Sequence, residues 1–244
     1  MNRGTAPSGV EGEEQIARFV RRMFDGVAPR YDLLNHLLSF NTDKYWRWRT
    51  VRILAPLLTR SEARVADLCC GSGDLTIALQ RKCAGPVLGS DFSHEMLREA
   101  RRKVAGRGLP SMVFEADALR LPVADGSLDL VTAAFGFRNF ANYRKGLEEL
   151  LRVLKPGGTA AILEFSTPPN AAFRAFYNFY SMKVLPRIGA ALSGAPDAYR
   201  YLPESVKKFP GAEELAEEMR AAGFADVRFE RMTLGIVAVH LGRK

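Results

Sequence analysis

Arg64-Val65-Ala66-Asp67-Leu68-Cys69-Cys70-Gly71-Ser72-Gly73-Asp74 is the stretch whose reading decides how this chain folds. Its apolar run with a β-branched start reads as a buried strand, and Gly71-Ser72-Gly73-Asp74 reads as a tight turn opening into a helix over 75–83. Strand, glycine turn and helix form the opening unit of a nucleotide-binding α/β sheet. Glycine lacks Cβ, so the backbone bends sharply and a ligand approaches closely, while the helix start presents unpaired N–H groups. Asp67, Gly71, Ser72 and Gly73 are therefore the first candidate ligand contacts. Taken alone, the turn reads equally well as an ordinary strand-to-helix connection.

What is missing narrows the ligand. A dinucleotide site needs a third glycine, where the helix packs beside the pyrophosphate; here Asp74, Leu75 and Thr76 follow instead. The next apolar run, 86–90, ends in Asp91, the place where a second strand of this kind sets an acid against a ribose hydroxyl. A ribose without a pyrophosphate fits both facts, and S-adenosylmethionine is such a cofactor. Asp-x-x-x-Gly-x-Gly followed by an acid ending the second strand resembles the binding signature of class I methyltransferases.

With 244 residues, 47% hydrophobic and 25% charged, the chain is long enough for one large α/β domain with a helical attachment, and no second independent domain is expected. The formal charge of +8 suggests an acidic partner, either nucleic acid or an anionic membrane surface. Cys69, Cys70 and Cys83 show no metal-type spacing and read as buried thiols of a reducing cytoplasm. No apolar run approaches the roughly 18 residues of a membrane span, so membrane association has to be peripheral.

Residues 1–15 read as a flexible tail without the apolar centre of a signal peptide. From Ile16 a basic amphipathic helix begins, with Ile16, Phe19, Val20, Met23 and Phe24 on one face and Arg18, Arg21 and Arg22 on the other. It packs over the core with solvated arginines, or rests on a membrane surface, or does both. Helices over 31–38 and 44–58 follow, the latter mixing Tyr45, Trp46 and Trp48 with Lys44, Arg47, Arg49 and Arg52. Ser93 caps a helix to about 105 whose Arg98, Arg101, Arg102 and Lys103 read as a solvated face.

Further strands are expected at 112–114, 126–134 and 159–165, the last after a helix over 143–154 and a Lys155-Pro156-Gly157-Gly158 turn. Asp117 ends the third strand at the sheet edge where ligands bind, so it and Ala118 are candidates for the adenine; a turn-capping aspartate is the plainer alternative. Residues 173–180 are aromatic and helical, continuing through Val184-Leu185-Pro186, and read as a substrate cover. A polar loop at 197–201, a helix over 212–222 capped by Gly223, and a closing antiparallel hairpin of 227–232 and 236–241 complete the chain. His240 alternates with apolar neighbours and reads as packed.

Several stretches now carry a sharper resemblance: 24–35 (Phe-Asp-Gly-Val-Ala-Pro-Arg-Tyr-Asp-Leu-Leu-Asn), Phe135-Gly136-Phe137-Arg138-Asn139, Leu163-Glu164-Phe165-Ser166, 199–205 (Tyr-Arg-Tyr-Leu-Pro-Glu-Ser) and Gly235-Ile236-Val237-Ala238-Val239-His240. Together they resemble the UbiE/COQ5 family of demethylmenaquinone and ubiquinone-precursor C-methyltransferases, from about residue 19 to the end. The resemblance implies a Rossmann-like α/β fold of class I, with a seven-stranded, mostly parallel sheet, an antiparallel last hairpin, N-terminal helices and a helical insertion. The expected division is 1–15 tail and 16–244 domain, comprising a cap over 16–60, a cofactor core over 61–165, an insertion over 166–210 and a closing unit over 211–244.

The family's cofactor contacts fall on Ser72, where threonine is usual, on Asp91 with the adjoining Phe92, on Asp117 with Ala118, and on Ala134, where a serine is common. Residues 39–43 (Ser-Phe-Asn-Thr-Asp) depart from the family's Ser-x-Gly-x-His, so that histidine is not a required base here. The implied reaction methylates a ring carbon of a polyprenylated quinol, most simply demethylmenaquinol, with 2-methoxy-6-polyprenyl-1,4-benzoquinol as the alternative. No metal is implied.

Ring carbon attacks a sulfonium methyl well only after the neighbouring hydroxyl loses its proton, so a cation beside the developing oxyanion assists. Arg138 with Asn139 is the candidate pair, and Tyr31 a proton relay. A buried arginine holding loop carbonyls is the alternative for Arg138. The expected partners are the quinol and a peripheral membrane surface on the inner face of the cytoplasmic membrane; no nucleic acid is expected, and a homodimer stays open. Two other classes remain: an RNA methyltransferase, favoured by net charge alone and lacking an Asn/Asp-Pro-Pro-Tyr signature, and a cofactor-binding scaffold without catalysis.

Overall fold

The computed structural model describes residues 4, 5, 7, 9–184 and 196–244. The expected strand of the glycine-turn unit is β1 (Val65–Leu68), buried at every position. It lies between β2 (Val87–Asp91) and β4 (Leu128–Ala134), parallel to both, with Asp67 in register with Gly89 and Thr132. Adding β3 (Met112–Glu115), β5 (Leu154–Phe165), β6 (Ala225–Met232) and β7 (Val237–Arg243) gives one sheet in the order β3-β2-β1-β4-β5-β7-β6. Only β7 runs antiparallel to its neighbours, as the closing hairpin requires.

Alternation along the strands sorts side chains to two faces. Ala66, Leu68, Val131, Ala160 and Ile162 meet α6 (Tyr143–Val153) and a later helix, α9 (Ala212–Ala222). Val65, Leu130 and Ala161 meet α3 (Thr42–Leu58) and α4 (Asp74–Gln80). With both faces covered, the central strands read as near-continuous apolar runs. His240 of β7 is buried and its Nε2 meets the Ala212 carbonyl at 2.8 Å, so it is packed as expected. Burial lowers its pKa to about 4 and keeps it neutral.

The helix expected over 75–83 ends at Gln80, and two larger differences follow. Strand β5 begins at Leu154, not Thr159: Leu128 pairs with Leu154 and Leu130 already with Thr159, so Lys155–Gly158 bulges out of a continuing strand. Gly157 supplies the left-handed backbone, φ 79°, that the bulge needs. Residues 197–201 are not a loop; they open α8 (Pro196–Lys208). Leu185 and Pro186 of the expected cover lie outside the described residues.

The N-terminal helices form a cap across the carboxyl ends of the strands. They are α1 (Glu13–Val27), a 3₁₀ turn (Ala28–Arg30) and α2 (Tyr31–Leu38). Between β2 and β3 runs α5 (His94–Ala105), capped by Ser93 Oγ on the Met96 amide as its sequence predicts. The cap is tied to it: Ser93 Oγ donates to Asp25 at 2.6 Å, and Arg21 pairs with Glu115 of β3. Of the arginines expected on the solvated face, Arg21 pairs here, and Arg18, still exposed, lies 3.5 Å from Glu14. Part of the expected tail also makes contacts. Thr5 is buried, its amide donates to the Phe140 carbonyl at 2.8 Å, and its hydroxyl meets the Tyr201 hydroxyl at 2.8 Å.

Candidate active site

A cavity of about 470 Å³ opens at the carboxyl ends of β1, β4 and β5. Its roof comes from α1, α2, the start of α3 and α7 (Ala171–Phe179) with the turn after it. Most of the lining is apolar, as a site for a small organic molecule usually is. Four carboxylates, Asp32, Asp43, Asp67 and Asp74, and two guanidinium groups, Arg47 and Arg138, reach the wall.

The glycine turn closes the floor. Gly71 and Gly73 take φ of 54° and 86°, which is why glycines stand there. Asp91 holds the turn from β2, accepting from the Gly71 amide and the Ser93 amide, each at 2.9 Å. Asp67 accepts from Thr76 and Thr132 hydroxyls, both at 2.7 Å. Burial raises both carboxyls to about 6, partly opposed by those hydrogen bonds.

This donor set fits S-adenosylmethionine. A glycine turn admits close backbone approach, Asp91 fastens that turn from the end of β2, and Asp67, a wall carboxylate held by hydroxyl groups, favours a cationic ligand. When bound, the cofactor supplies an electrophilic methyl group. Because Asp67 and Asp91 are ionised only above about pH 6, the affinity for a cationic cofactor should fall as the pH drops from 7 to 5. The expected loss approaches tenfold per pH unit below the midpoint for each coupled group. Calorimetry checks this, with S-adenosylhomocysteine, which lacks the sulfonium charge, expected to show a smaller slope; equal slopes would contradict it.

The structure brings Tyr31, Asp67, Gly71, Ser72, Ala134 and Arg138 to the cavity wall. Gly73, Asp91, Phe92, Asp117, Ala118 and Asn139 lie behind it or beside it. Phe92 packs among Ile16, Val20 and Tyr201 under α1. Asp117 is exposed and accepts from the Leu119 amide at 2.8 Å, the turn-capping role. Asn139 Oδ1 accepts from the Tyr201 hydroxyl at 3.0 Å, which links it to Thr5.

Lys103 corrects the reading of α5 as solvated on that face. It is turned inward, only 12% exposed, with Nζ 2.6 Å from Asp32, 2.5 Å from Asp74 and 3.0 Å from Ser72 Oγ. Ser72 Oγ in turn donates to Asp32, so α2 is bolted to the glycine turn. Arg47 extends the network from α3, 3.4 Å from Asp74 and paired with Asp43, which also meets His36 Nδ1 at 2.7 Å.

Arg138 is buried on the short turn Phe137–Asn139. Its Nη1 donates to the Phe135 carbonyl and to Glu164, 3.1 Å from Oε1 and 3.2 Å from Oε2. Burial pushes the Glu164 carboxyl up while Arg138 draws it back. Sequence reasoning quoted Glu164 without giving it a role; a carboxylate inside an apolar strand is itself a signal that a buried cation must face it. Arg138 Nε is buried without a partner, and Nη2 makes no hydrogen bond among the described residues. Tyr31 is held as the neutral phenol because burial raises its pKa, against the pull of Arg138.

Comparison with known proteins agrees with this fold. The profile of the ubiE/COQ5 methyltransferase family matches residues 10–244. The chain is similar to the demethylmenaquinone methyltransferase of Thermus thermophilus, 52% identical over 90% of this chain and 99% of that one. It is 47% identical to the demethylmenaquinone methyltransferase of Deinococcus radiodurans over 96% of each. Among solved structures, a SAM-dependent methyltransferase of Thermotoga maritima superposes with a TM-score of 0.65 at 20% identity, covering 91% of this chain and 99% of that one.

Proposed function

The chain belongs to the UbiE/COQ5 methyltransferase family, and from that premise we propose that it methylates a ring carbon of demethylmenaquinol with S-adenosylmethionine. The observation that carries the reading is Arg138: a buried cation at an apolar cavity, the two N–H groups of its Nη1 spent on Phe135 and Glu164 and the other three without a hydrogen bond among the described residues. An unpaired buried donor is costly, and an oxyanion on the substrate ring would satisfy it.

The roles divide among this chain's residues. Arg138 lowers the pKa of the ring hydroxyl and stabilises the oxyanion, which makes the adjacent carbon nucleophilic. Tyr31 stays protonated and passes a proton between ring oxygen and water rather than acting as the base. Asn139 acts through Tyr201, and the cap excludes water. Asp67, Gly71, Ser72, Gly73, Asp91 and Ala134 form the cofactor side, while Phe92 packs under α1 and Asp117, with Ala118 beside it, caps a turn.

Incubation with labelled S-adenosylmethionine tests the reading. A short-tailed demethylmenaquinol should gain label, a 2-methoxy-6-prenyl-benzoquinol less, and tRNA none. Label in tRNA alone, or in no acceptor, would reject it.

A bilayer is the proposed partner surface; no described helix is long and apolar enough to cross a membrane. Phe40 and Phe176 line the cavity yet are 74% and 68% exposed, and Leu33, Leu37, Phe179 and Met182 extend that apolar rim. Exposed Lys44 and Lys183 stand in the same segments. Such a rim around the mouth suits a quinol tail left in lipid, and adds an apolar contact to the exposed arginines of α1. Flotation with anionic liposomes should recover the protein, and Phe40→Asp with Phe176→Asp should abolish recovery. Equal recovery of the variant would reject the rim.

A further inference from the structure

One wall of the cavity is aromatic. Trp46, Phe135 and Phe165 pack on one another, with ring centroids 5.8, 6.2 and 5.1 Å apart, and all three line the cavity. Three separate elements deliver them: α3, the residue after β4, and the end of β5.

Each ring is held in place. The Trp46 indole Nε1 donates to Thr233 Oγ1 at 2.7 Å, from the turn between β6 and β7. Phe135 sits at φ 57°, an unusual conformation for a bulky residue. Its amide donates to the Leu163 carbonyl at 2.8 Å, and its carbonyl takes the Arg138 hydrogen bond. The next residue has no room for a side chain, because a Cβ on Gly136 would run into Cys69. Strain kept at a cavity wall by surrounding contacts marks a site where side-chain direction matters. The Arg138 guanidinium lies over the Phe165 ring, 5.3 Å from its centroid, so the free N–H groups border the aromatic wall.

We propose that Trp46, Phe135 and Phe165 form the seat of the substrate's aromatic ring, with the ring oxygen directed to Arg138. This rests on the quinol methyltransferase reading and adds where the ring lies. The cofactor side, with the glycine turn and Asp91, belongs to the ends of β1 and β2; the aromatic wall stands at the ends of β4 and β5, on the far side of Ala134. A flat ring lying against that wall gains offset and edge contacts with three fixed rings. It also faces the methyl donor across the floor. The cofactor's sulfonium, which aromatic faces also attract, is the competing occupant.

The chain has two tryptophans, and Trp48 is exposed, so Trp48→Phe leaves Trp46 as the sole emitter. Titration of that variant with 2-geranyl-1,4-naphthoquinone, in the presence of S-adenosylhomocysteine, should quench the emission saturably. In parallel, Trp46→Phe and Phe165→Leu should each raise KM for the matching quinol about tenfold, with cofactor Kd unchanged. Circular dichroism and cofactor binding on the same samples identify any variant that fails to fold, and Phe135→Leu then replaces it.

Unquenched emission at quinone levels that calorimetry shows to be saturating would overturn the proposal, as would absence of quinone binding. An unchanged KM in the folded variants would do the same. A raised cofactor Kd with unchanged KM would give the wall to the sulfonium. Wild-type protein that methylates no prenylated quinol refutes the functional reading itself; normal wild-type turnover with indifferent variants refutes only the ring seat.

Discussion

Arg138→Leu should keep S-adenosylmethionine bound while methyl transfer falls about 10²–10³-fold, the usual effect of losing one preorganised charge stabiliser. Leucine keeps much of the apolar volume and removes the cation. The structure adds a complication, because Glu164 is buried against Arg138 and would be left as an unpaired charge. Breaking such a pair costs about 3–5 kcal/mol, enough to unfold a marginal domain. The measurement therefore uses Arg138→Leu together with Glu164→Gln, which removes both charges, beside Glu164→Gln alone. Part of the lost turnover should return at higher pH, where the ring hydroxyl ionises unaided. A double variant with near-normal turnover would reject the catalytic role; a folded one that has lost cofactor affinity in step with turnover would make Arg138 structural.

Asp91→Ala should weaken cofactor binding by about 1.5–3 kcal/mol, a charge-assisted contact to ribose hydroxyls being lost. Asp91 also fastens the glycine turn through the Gly71 amide and caps the chain at the Ser93 amide. Stability should therefore fall as well, by about 1–3 kcal/mol for donors left without a partner. Asp91→Asn retains an acceptor oxygen without the charge and should separate the two effects, restoring melting temperature more than affinity. Calorimetric Kd beside thermal unfolding is the check; normal affinity with lowered melting would leave Asp91 only its structural task.

Much of the frame was legible because its signals are local. Periodicity and turn chemistry placed each strand of the sheet, Ser93 as a cap, Gly223 as a helix stop and the closing hairpin within a few residues. Quoted motifs identified the family. The Gly157 bulge was missed because a Pro-Gly-Gly run ends a helix and interrupts a strand with the same residues. The opening of α8 was missed because its polar residues resemble a loop until the chain after them is seen as one helix.

By itself, then, the sequence determined the individual strands, the glycine turn, the two acids Asp67 and Asp91, and a cation after the fourth strand, since each follows from residues adjacent in the chain. Tertiary structure alone decided who faces whom. It set Glu164 against Arg138, although 26 residues separate them, turned Lys103 from an apparently solvated face into a bolt between α2 and the glycine turn, engaged Arg21 of α1 with Glu115, and gathered Trp46, Phe135 and Phe165 into one wall. Helical spacing gives the faces of a helix but not which of them a neighbour will cover. A buried charge likewise selects its partner by proximity in the folded chain, and for Arg138 and Glu164 that proximity exists only once β4 and β5 have paired.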